Sequence, residues 1–410
     1  NNNAAIAPDM ANEGDMFSLG NNENPGNNFS DMGGSTPTTP PAEDMGPDSG
    51  GPEFSGVVAR SAELEEGSGL FFEDVFAGTY HCEGESTINF TEEGTQYGNL
   101  QLIHVSASES EGSGDSPENA TSLSEALKRA QSEDVALILQ PGTYTLDGRL
   151  ANLTRGDGSF VMAGTCPNEV IVELSSEAKF ELNELQRVAF SGITFRTTRG
   201  ITLGDNVSDE LPLIRLNKVQ NAAFVNVSIE GAAAPDERAA DGLLVDGRTD
   251  LFIAHSNFDR LHTAITLSGK TRASLLHVAI QDMLQTGLSV KVRSDDGEEP
   301  AAGSLTEFEA GVFLRKSVIE GVDPMDNNMP TVDTYDKRTG IVASGSLVAL
   351  SQSYITGLNN GDFGGSMLRG IDASSSLVRV SNASLLRNIG GFAITGQNSR
   401  VWIDGSDLIS

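Results

Sequence analysis

The residues best suited to bind a cation are crowded into one acidic loop. From Glu320 to Thr339 the sequence reads EGVDPMDNNMPTVDTYDKRT, and carboxylate oxygens are the hard ligands that Ca²⁺ prefers. The candidate ligand-binding residues are Asp323, Asp326, Asp333, Asp336, Lys337 and Arg338, with Asp362 in a later loop. Their spacing matches neither the EF-hand nor the nonapeptide Ca²⁺ loop. An acidic loop that only faces solvent is therefore the favoured interpretation, and Ca²⁺ is a candidate cofactor in the alternative one.

This loop is one of four long insertions that occur at the same point of a repeating unit. The four are 196–212, 230–240, 320–339 and 356–369, and a fifth, 293–310, leaves from a different point. Loops on a rigid repeat scaffold are where such proteins usually bind. We therefore predict that the four loops form one contact surface, which we call the loop wall. Insertions that are tolerated without any function are the alternative.

The scaffold beneath these loops is itself a repeat. Shifting residues 241–258 by 22 positions places Val245 on Leu267 and Phe258 on Ile280. One apolar column extends this pattern through Phe190, Phe224, Ile253, Leu275, Leu314, Leu350, Val380 and Ile403. A second contains Phe195, Ile229, Phe258, Ile280, Ile319, Ile355, Leu385 and Leu408. A third, of mixed size, contains Ile193, Val227, Ser256, Val278, Ser317, Ser353, Ala383 and Ser406.

Short strands that alternate with period two and repeat at 22 residues or more predict a solenoid of stacked coils. A leucine-rich repeat would keep a tight length and frame, which this sequence lacks. A β-sandwich would not hold three columns in register over eight units. The predicted fold class is therefore all-β, a parallel β-helix.

The chain divides by composition into three parts. Residues 1–68 are rich in Asn, Gly, Pro and acidic residues, which predicts a disordered tether. Residues 69–114 contain short apolar runs, which are either a small β subdomain or the first layers of the β-helix. Residues 115–410 are the β-helix, with a helix over 122–131 predicted by an apolar stripe and by the capping box of Ser122 and Glu125. We expect this helix to cap the first coil.

The stretch around this helix resembles the opening of secreted right-handed β-helix proteins of the pectin-lyase-like superfamily. The matching residues are Ile103, Val105, Ser106, Thr121, Leu123, Glu125, Ala126, Leu127, Ala130, Pro141, Gly142, Thr143 and Tyr144. The later stretch around Gly164, Cys166 and Pro167 is also similar to an early coil of these proteins. The resemblance covers about residues 100–410 and implies a right-handed helix and export. It implies no particular activity, because the fold hosts lyases, hydrolases, epimerases and non-catalytic surface proteins.

Catalytic motifs of that superfamily are absent from the sequence in their usual form. Polygalacturonases share an R-x-K motif, which the run from Lys291 to Arg293 reverses. Pectate lyases share a W-I-D-H strand, which Trp402 to Asp404 imitate, but Gly405 stands in place of the histidine. We therefore assign no catalytic residue.

Two further groups of residues have reactive side chains. Cys82 and Cys166 are the two cysteines, and they are either one disulfide or two buried thiols. His255 and His277 share one column of the repeat and are able to bind a transition metal as a pair. The other members of that column are turn residues, so a turn is the favoured interpretation and no metal site is assigned.

Charge limits the partners of the chain. There are 26 basic and 58 acidic residues among 410, a net charge of −32, which argues against nucleic acid and anionic membranes. No apolar run approaches the roughly 18 residues that would predict a transmembrane segment. The sequence stops at Ser410 inside a strand-like unit, which leaves room for a further chain or subunit at an open carboxy-terminal end.

The predicted function follows from the scaffold and the loop wall. We expect an exported, surface-tethered protein that is a structural or polysaccharide-binding module, with a polysaccharide or cell-envelope glycan as partner. The alternative is a carbohydrate-active enzyme, either a polysaccharide lyase or a glycoside hydrolase, that uses the same wall.

Overall fold

Parallel strands wind through three faces, as the repeat predicts. The computed structural model describes residues 100–108, 111–146, 152–156, 158–175, 180–197, 212–231, 240–283, 285–292, 310–321, 339–356, 367–382, 384–387 and 389–409. Within them every ladder between strands is parallel, and the chain returns to the same face once in each coil. Parallel connections of this kind are almost always right-handed. The predicted right-handed parallel β-helix is confirmed.

Two faces belong to one 20-stranded sheet that bends along a corner. Face A contains β1 (Gln101–Ser106), β2 (Thr121–Ser122), β3 (Val135–Leu139), β6 (Ser159–Ala163), the first halves of β9 (Arg187–Thr197) and β11 (Asn221–Glu230), β13 (Asp250–Ala254), β16 (Arg272–Leu276), β19 (Gly311–Arg315), β22 (Leu347–Ser351), β25 (Leu377–Ser381) and β28 (Arg400–Asp404). Face B contains β4 (Gly142–Leu146), β7 (Val170–Leu174), the second halves of β9 and β11, β14 (Asn257–Asp259), β17 (Ala279–Met283), β20 (Val318–Gly321), β23 (Tyr354–Thr356), β26 (Leu385–Arg387) and β29 (Asp407–Ile409).

The third face is a separate nine-stranded sheet. Face C contains β5 (Asn152–Thr154), β8 (Phe180–Asn183), β10 (Pro212–Asn217), β12 (Asp241–Gly247), β15 (Thr263–Gly269), β18 (Thr286–Lys291), β21 (Thr339–Ser344), β24 (Met367–Ser374) and β27 (Ile389–Gln397). The chain runs from face A to face B to face C and then begins the next coil.

The inward residues of the three faces form one continuous apolar core. The first apolar column is confirmed in full, since each of its members pairs with the next, from Phe190 and Phe224 to Val380 and Ile403. Near the amino-terminal end the core is aromatic, and the rings of Phe190 and Phe195 meet edge to face with centroids 5.3 Å apart. Such contacts add to the stabilisation that burial of the rings provides.

The other two columns need a correction near the carboxy-terminal end. Ile355 pairs with Leu386, not with the predicted Leu385. In the third column the backbone N–H of Ser353 donates to Ser384 Oγ at 3.2 Å, so Ser384 takes the place predicted for Ala383. The corner after β25 holds one residue more than the corner after β22, and this extra residue shifts both columns by one position.

The corner between faces A and B is made by residues in the left-handed conformation. All eight members of the column that contains the two histidines have φ between 49° and 63°: Gly192, Asn226, His255, His277, Lys316, Gln352, Asn382 and Gly405. Buried serines one residue later close the same corner, since Ser317 Oγ accepts from the N–H of Val278 at 3.2 Å. This column is therefore a turn, as favoured above.

Helix α1 (Leu123–Ala130) lies where the sequence predicts a helix, and a 3₁₀ turn (Pro117–Asn119) precedes it. Its four apolar residues are buried in the core, and Ser122 Oγ accepts from the N–H of Glu125 at 3.3 Å. The carboxylate of Glu125 lies 3.1 Å from Lys128 Nζ, so it serves an ion pair on the helix surface. Capping of the first coil by α1 stays a prediction. Within the described residues no helix is long and apolar enough to cross a membrane.

Candidate ligand-binding site at the base of the loop wall

The four long loops of the predicted wall leave from one corner of the β-helix. They follow β9, β11, β20 and β23 on face B, and each leads into a strand of face C. The fifth insertion lies between β18 on face C and β19 on face A, so it leaves from a different corner. The predicted ligand-binding residues Asp323, Asp326, Asp333, Asp336, Lys337, Arg338 and Asp362 lie outside the described residues, and their role stays a prediction.

The predicted wall is interrupted at its middle. After β14 and β17 the chain turns directly into β15 and β18 without a long loop. Three coil spacings of about 4.8 Å separate Glu230 from Glu320, the stems of the two loops on either side. The floor of the notch is therefore about 14 Å long, and we call this surface the wall notch.

A network of ion pairs lies at one end of the wall notch. Arg196, Glu230 and Asp259 are direct neighbours in the ladder of face B. Arg196 Nε donates to Glu230 Oε2 at 2.9 Å, and Arg260 Nη2 donates to the same oxygen at 3.3 Å. Arg260 Nε also donates to Asp259 Oδ2 at 2.8 Å. One guanidinium thus holds two carboxylates of adjacent coils together.

The carboxyl of Asp259 in this network has a raised pKa. Burial raises the pKa of its carboxyl, the neighbouring Arg260 opposes the shift, and the nearby Asp282 adds to it. A carboxyl of this kind keeps its proton to a higher pH than usual, so it is able to donate a hydrogen bond or a proton to a ligand.

An aspartate and a histidine form a hydrogen-bonded pair next to the network. His262 follows Arg260 by two residues, and its Nδ1 lies 3.3 Å from Asp241 Oδ1. The same oxygen accepts from the N–H of Thr263 at 3.0 Å, so the aspartate is fixed from two sides. A hydrogen bond at Nδ1 assigns the proton to that nitrogen and makes Nε2 the acceptor. Nε2 is therefore left to accept a hydrogen bond.

A glycine permits the tight corner beneath this network. A Cβ on Gly231 would lie 1.7 Å from the carbonyl oxygen of Arg260, so no larger residue fits without movement of the backbone. Arg260 itself has a φ of 56°. The backbones of two coils thus approach closely at the point that carries the charged side chains.

The sequence interpretation missed this network, although a signal was present. Arg196, Glu230 and Asp259 each follow directly after a member of the second apolar column. That position points outward, because neighbouring residues of a strand face opposite sides. A charged residue there in three successive coils indicates a stacked ladder.

The two histidines at the corner of faces A and B are a different group. Burial lowers the pKa of both rings, and the neighbouring His255, Lys316 and Arg315 help to lower that of His277 to about 4. Among the described residues no third metal-binding side chain joins them, and cations beside His277 disfavour a bound metal ion.

Cys166 is buried and disulfide-bonded. Its predicted partner Cys82, the other cysteine of the chain, lies outside the described residues, so the pairing stays a prediction.

The strand that imitates the pectate lyase motif is β28. Trp402 points outward and is 66% exposed, so it is not a core residue. Ile403 and Leu408 continue the inward columns and are partly exposed in the last described coil. A further chain or subunit over this coil stays a prediction.

The strand pairing defines the class of the described residues, a parallel β-helix that has an outward network of charged side chains at one corner. No protein-family profile and no curated protein match the sequence. The chain is similar to the pectate lyase Pel9A, with 12% identity over 73% of this chain and 79% of the other, and a TM-score of 0.43. It is similar to the A-module of the Azotobacter vinelandii mannuronan C-5 epimerase AlgE4, with 12% identity, 75% and 96% coverage, and a TM-score of 0.38. It is also similar to a carrot pectin methylesterase, with 16% identity, 74% and 90% coverage, and a TM-score of 0.34. At these identities and TM-scores the likenesses carry no information about activity or substrate.

Proposed function

We propose that the protein is an exported, surface-tethered module that binds a polysaccharide in the wall notch. The observation that carries this proposal is the network of Arg196, Glu230, Arg260 and Asp259, partly exposed on the floor of the notch. Guanidinium and carboxylate groups donate to and accept from sugar hydroxyls, and a rigid scaffold fixes their positions.

Charge favours a neutral polysaccharide over an acidic one. Arg196 and Arg260 face three carboxylates in and beside the network, namely Glu230, Asp259 and Asp282. The chain as a whole has a net charge of −32 and repels polyanions. If the predicted Ca²⁺ site at Asp323 to Asp336 exists, added Ca²⁺ will shift this preference toward acidic glycans.

Export is supported by the disulfide at Cys166, because disulfides persist in oxidising compartments. The composition of residues 1–68 supports a tether, since so polar a segment buries too little apolar area to fold alone. Labelling of intact producing cells with an impermeant amine reagent tests this point. A protein protected from the reagent until lysis would contradict export.

The second candidate function is a glycoside hydrolase or polysaccharide lyase in the same notch. Asp259, with its raised pKa, is suited to act as a general acid. The pair of Asp241 and His262 is suited to act as a base. The two functions differ in products, because an enzyme releases new reducing ends or 4,5-unsaturated sugars.

The deciding experiment measures glycan binding by the full chain on a panel of neutral and acidic polysaccharides. Binding is measured with Ca²⁺ and with EDTA, and the spent mixtures are assayed for cleavage. We expect saturable binding to a neutral glycan that Arg260→Gln weakens at least about tenfold, since a hydrogen bond to a charged group contributes that much.

The matched control is Arg215→Gln on face C. Arg215 is also an outward arginine beside a carboxylate, with Nη1 3.8 Å from Glu181 Oε1 of the preceding coil, but it lies on face C and not in the network of face B. Equal losses of glycan affinity in the two variants would show that the wall notch is not the binding site. Cleavage products in the spent mixtures would show that the protein is an enzyme and not only a binding module.

A further inference from the structure

The amino-terminal part of one outward-facing ladder of face A is buried where the outer surface of a β-helix normally meets water. Its register runs through Ala136, Val161, Ala189, Ala223, Phe252, Ser274, Phe313 and Ala349. Ala223 illustrates the direction, because its neighbours Ala222 and Phe224 belong to the inner core and strand residues alternate.

This burial covers only part of the ladder. Ala136 and Val161 are 0% exposed and Ala223 is 1% exposed, and they form a second apolar cluster apart from the core. Phe313, further along the same ladder, is 46% exposed. The elements in closest contact with these strands are their neighbours along the β-helix, which cannot shield their outer side. The amino-terminal part of the ladder therefore requires a cover.

If Cys166 pairs with Cys82, as predicted, one segment of the chain is anchored to this face at two points. Cys166 lies at the edge of the face, between β6 and β7, and it is disulfide-bonded in a chain whose other cysteine is Cys82. Leu100, which precedes β1, packs against the second apolar cluster. The predicted disulfide would therefore anchor residues 69–99 near their middle, and Leu100 places their carboxy-terminal end beside the covered region.

The composition of that segment fits an apolar surface. It begins LFFEDVFAGTY from Leu70 to Tyr80, and it includes the run STINF. Residues 1–68, by contrast, are dominated by Asn, Gly, Pro and acidic residues. Apolar side chains gain stability by covering an apolar face, and polar ones do not.

We propose that residues 69–99 lie across the outer side of face A and cover the second apolar cluster, with the disulfide as their anchor. This interaction surface is independent of glycan binding. It means that the segment belongs to the β-helix and is not a separate subdomain.

Hydrogen exchange of the full, oxidised chain, read by mass spectrometry, tests the proposal. We expect the amides of residues 69–99 to exchange at least about tenfold more slowly than those of residues 1–68, because docked segments are protected. Exchange as fast as that of 1–68 would overturn the proposal. Protection that disappears on dilution would also overturn it, since a second copy would then be the cover.

Two glutamate variants on the same ladder provide a matched comparison. Ala223→Glu places a charge beneath the cover, whereas Ala349→Glu places one further along the ladder at a partly exposed position. We expect exchange in 69–99 to rise at least about tenfold in the first variant and to stay unchanged in the second. An equal change of exchange in residues 69–99 in both variants would contradict the proposal.

If Ala223→Glu fails to fold, the variant Cys82→Ser with Cys166→Ser tests the same point without a buried charge. We expect faster exchange in residues 69–99 and unchanged exchange in β9 and β11. Unchanged exchange in the segment would show that the disulfide does not anchor it.

Discussion

The imidazole rings of His255 and His277 lie parallel, with centroids 5.0 Å apart and planes 10° apart. Both residues hold the left-handed conformation at one corner of two adjacent coils, and this shared geometry stacks the rings. Burial and the neighbouring Lys316 and Arg315 favour the neutral form of His277. Protonation of the pair would therefore place positive charge against positive charge inside the corner.

The histidine pair predicts a loss of stability in acid. The folded pKa of His277 is about 4 and the ordinary value is 6.5, so the unfolded state binds a proton first as the pH falls. Stability is complete above about pH 6.5 and is lost progressively down to about pH 4. We expect His277→Asn to recover about 2 kcal/mol of the loss in the free energy of unfolding between pH 7 and pH 5.

Asparagine suits this test because Asn226 and Asn382 occupy the same column with the same backbone conformation. The measurement is urea unfolding at both pH values, with Gln352→Asn as a control in the same column. An identical pH dependence of wild type and His277→Asn would refute the assignment.

Gly231→Ala is expected to destabilise the corner beneath the charged network. The added Cβ would lie 1.7 Å from the carbonyl oxygen of Arg260, so the backbone must move. We expect a loss of more than about 2 kcal/mol in the free energy of unfolding, measured by chemical denaturation. Gly396→Ala is the control, since a Cβ there meets its nearest atom at 3.6 Å. Similar losses in both variants would show that the close approach is not the cause.

The buried serines of the corner predict a hydrogen-bond effect. Ser353 Oγ accepts from the N–H of Ser317 at 3.2 Å and donates to the carbonyl of Ser351 at 2.9 Å. Ser353→Ala leaves the N–H of Ser317 without this acceptor, which costs about 1–3 kcal/mol for a buried group. Ser274→Ala, on the outward side of β16, should change the melting temperature little. An unchanged stability in Ser353→Ala would mean that another group accepts the hydrogen bond from the N–H of Ser317.

The disulfide prediction is tested by thiol chemistry. If Cys82 and Cys166 pair, the unfolded, unreduced chain should take up no iodoacetamide, and reduction should add two labels. A bridge over some 84 residues contributes about 4.5 kcal/mol in the chain-entropy model, so reduction should lower the unfolding midpoint markedly. Labelling of two thiols before reduction would contradict the pairing.

The sequence by itself determined the stacked coils, helix α1 and the turn that contains the two histidines. These features repeat locally, and burial of the inward positions enforces their register. An extra residue at one corner escaped this reasoning, because either Leu385 or Leu386 continues an apolar column equally well. The pairing of Ile355 with Leu386 and the hydrogen bond from Ser353 to Ser384 decide between them.

The tertiary structure alone decided which distant polar residues meet. Glu230 and Arg260 are 30 residues apart, and they pair because two coils of different length end at the same corner. The covered outer side of Ala223 is likewise invisible in the sequence, since an alanine fits an exposed or a buried strand position. The local periodicity of the sequence determines which residues pack inward. Outward contacts depend instead on loops of irregular length, which place remote segments side by side.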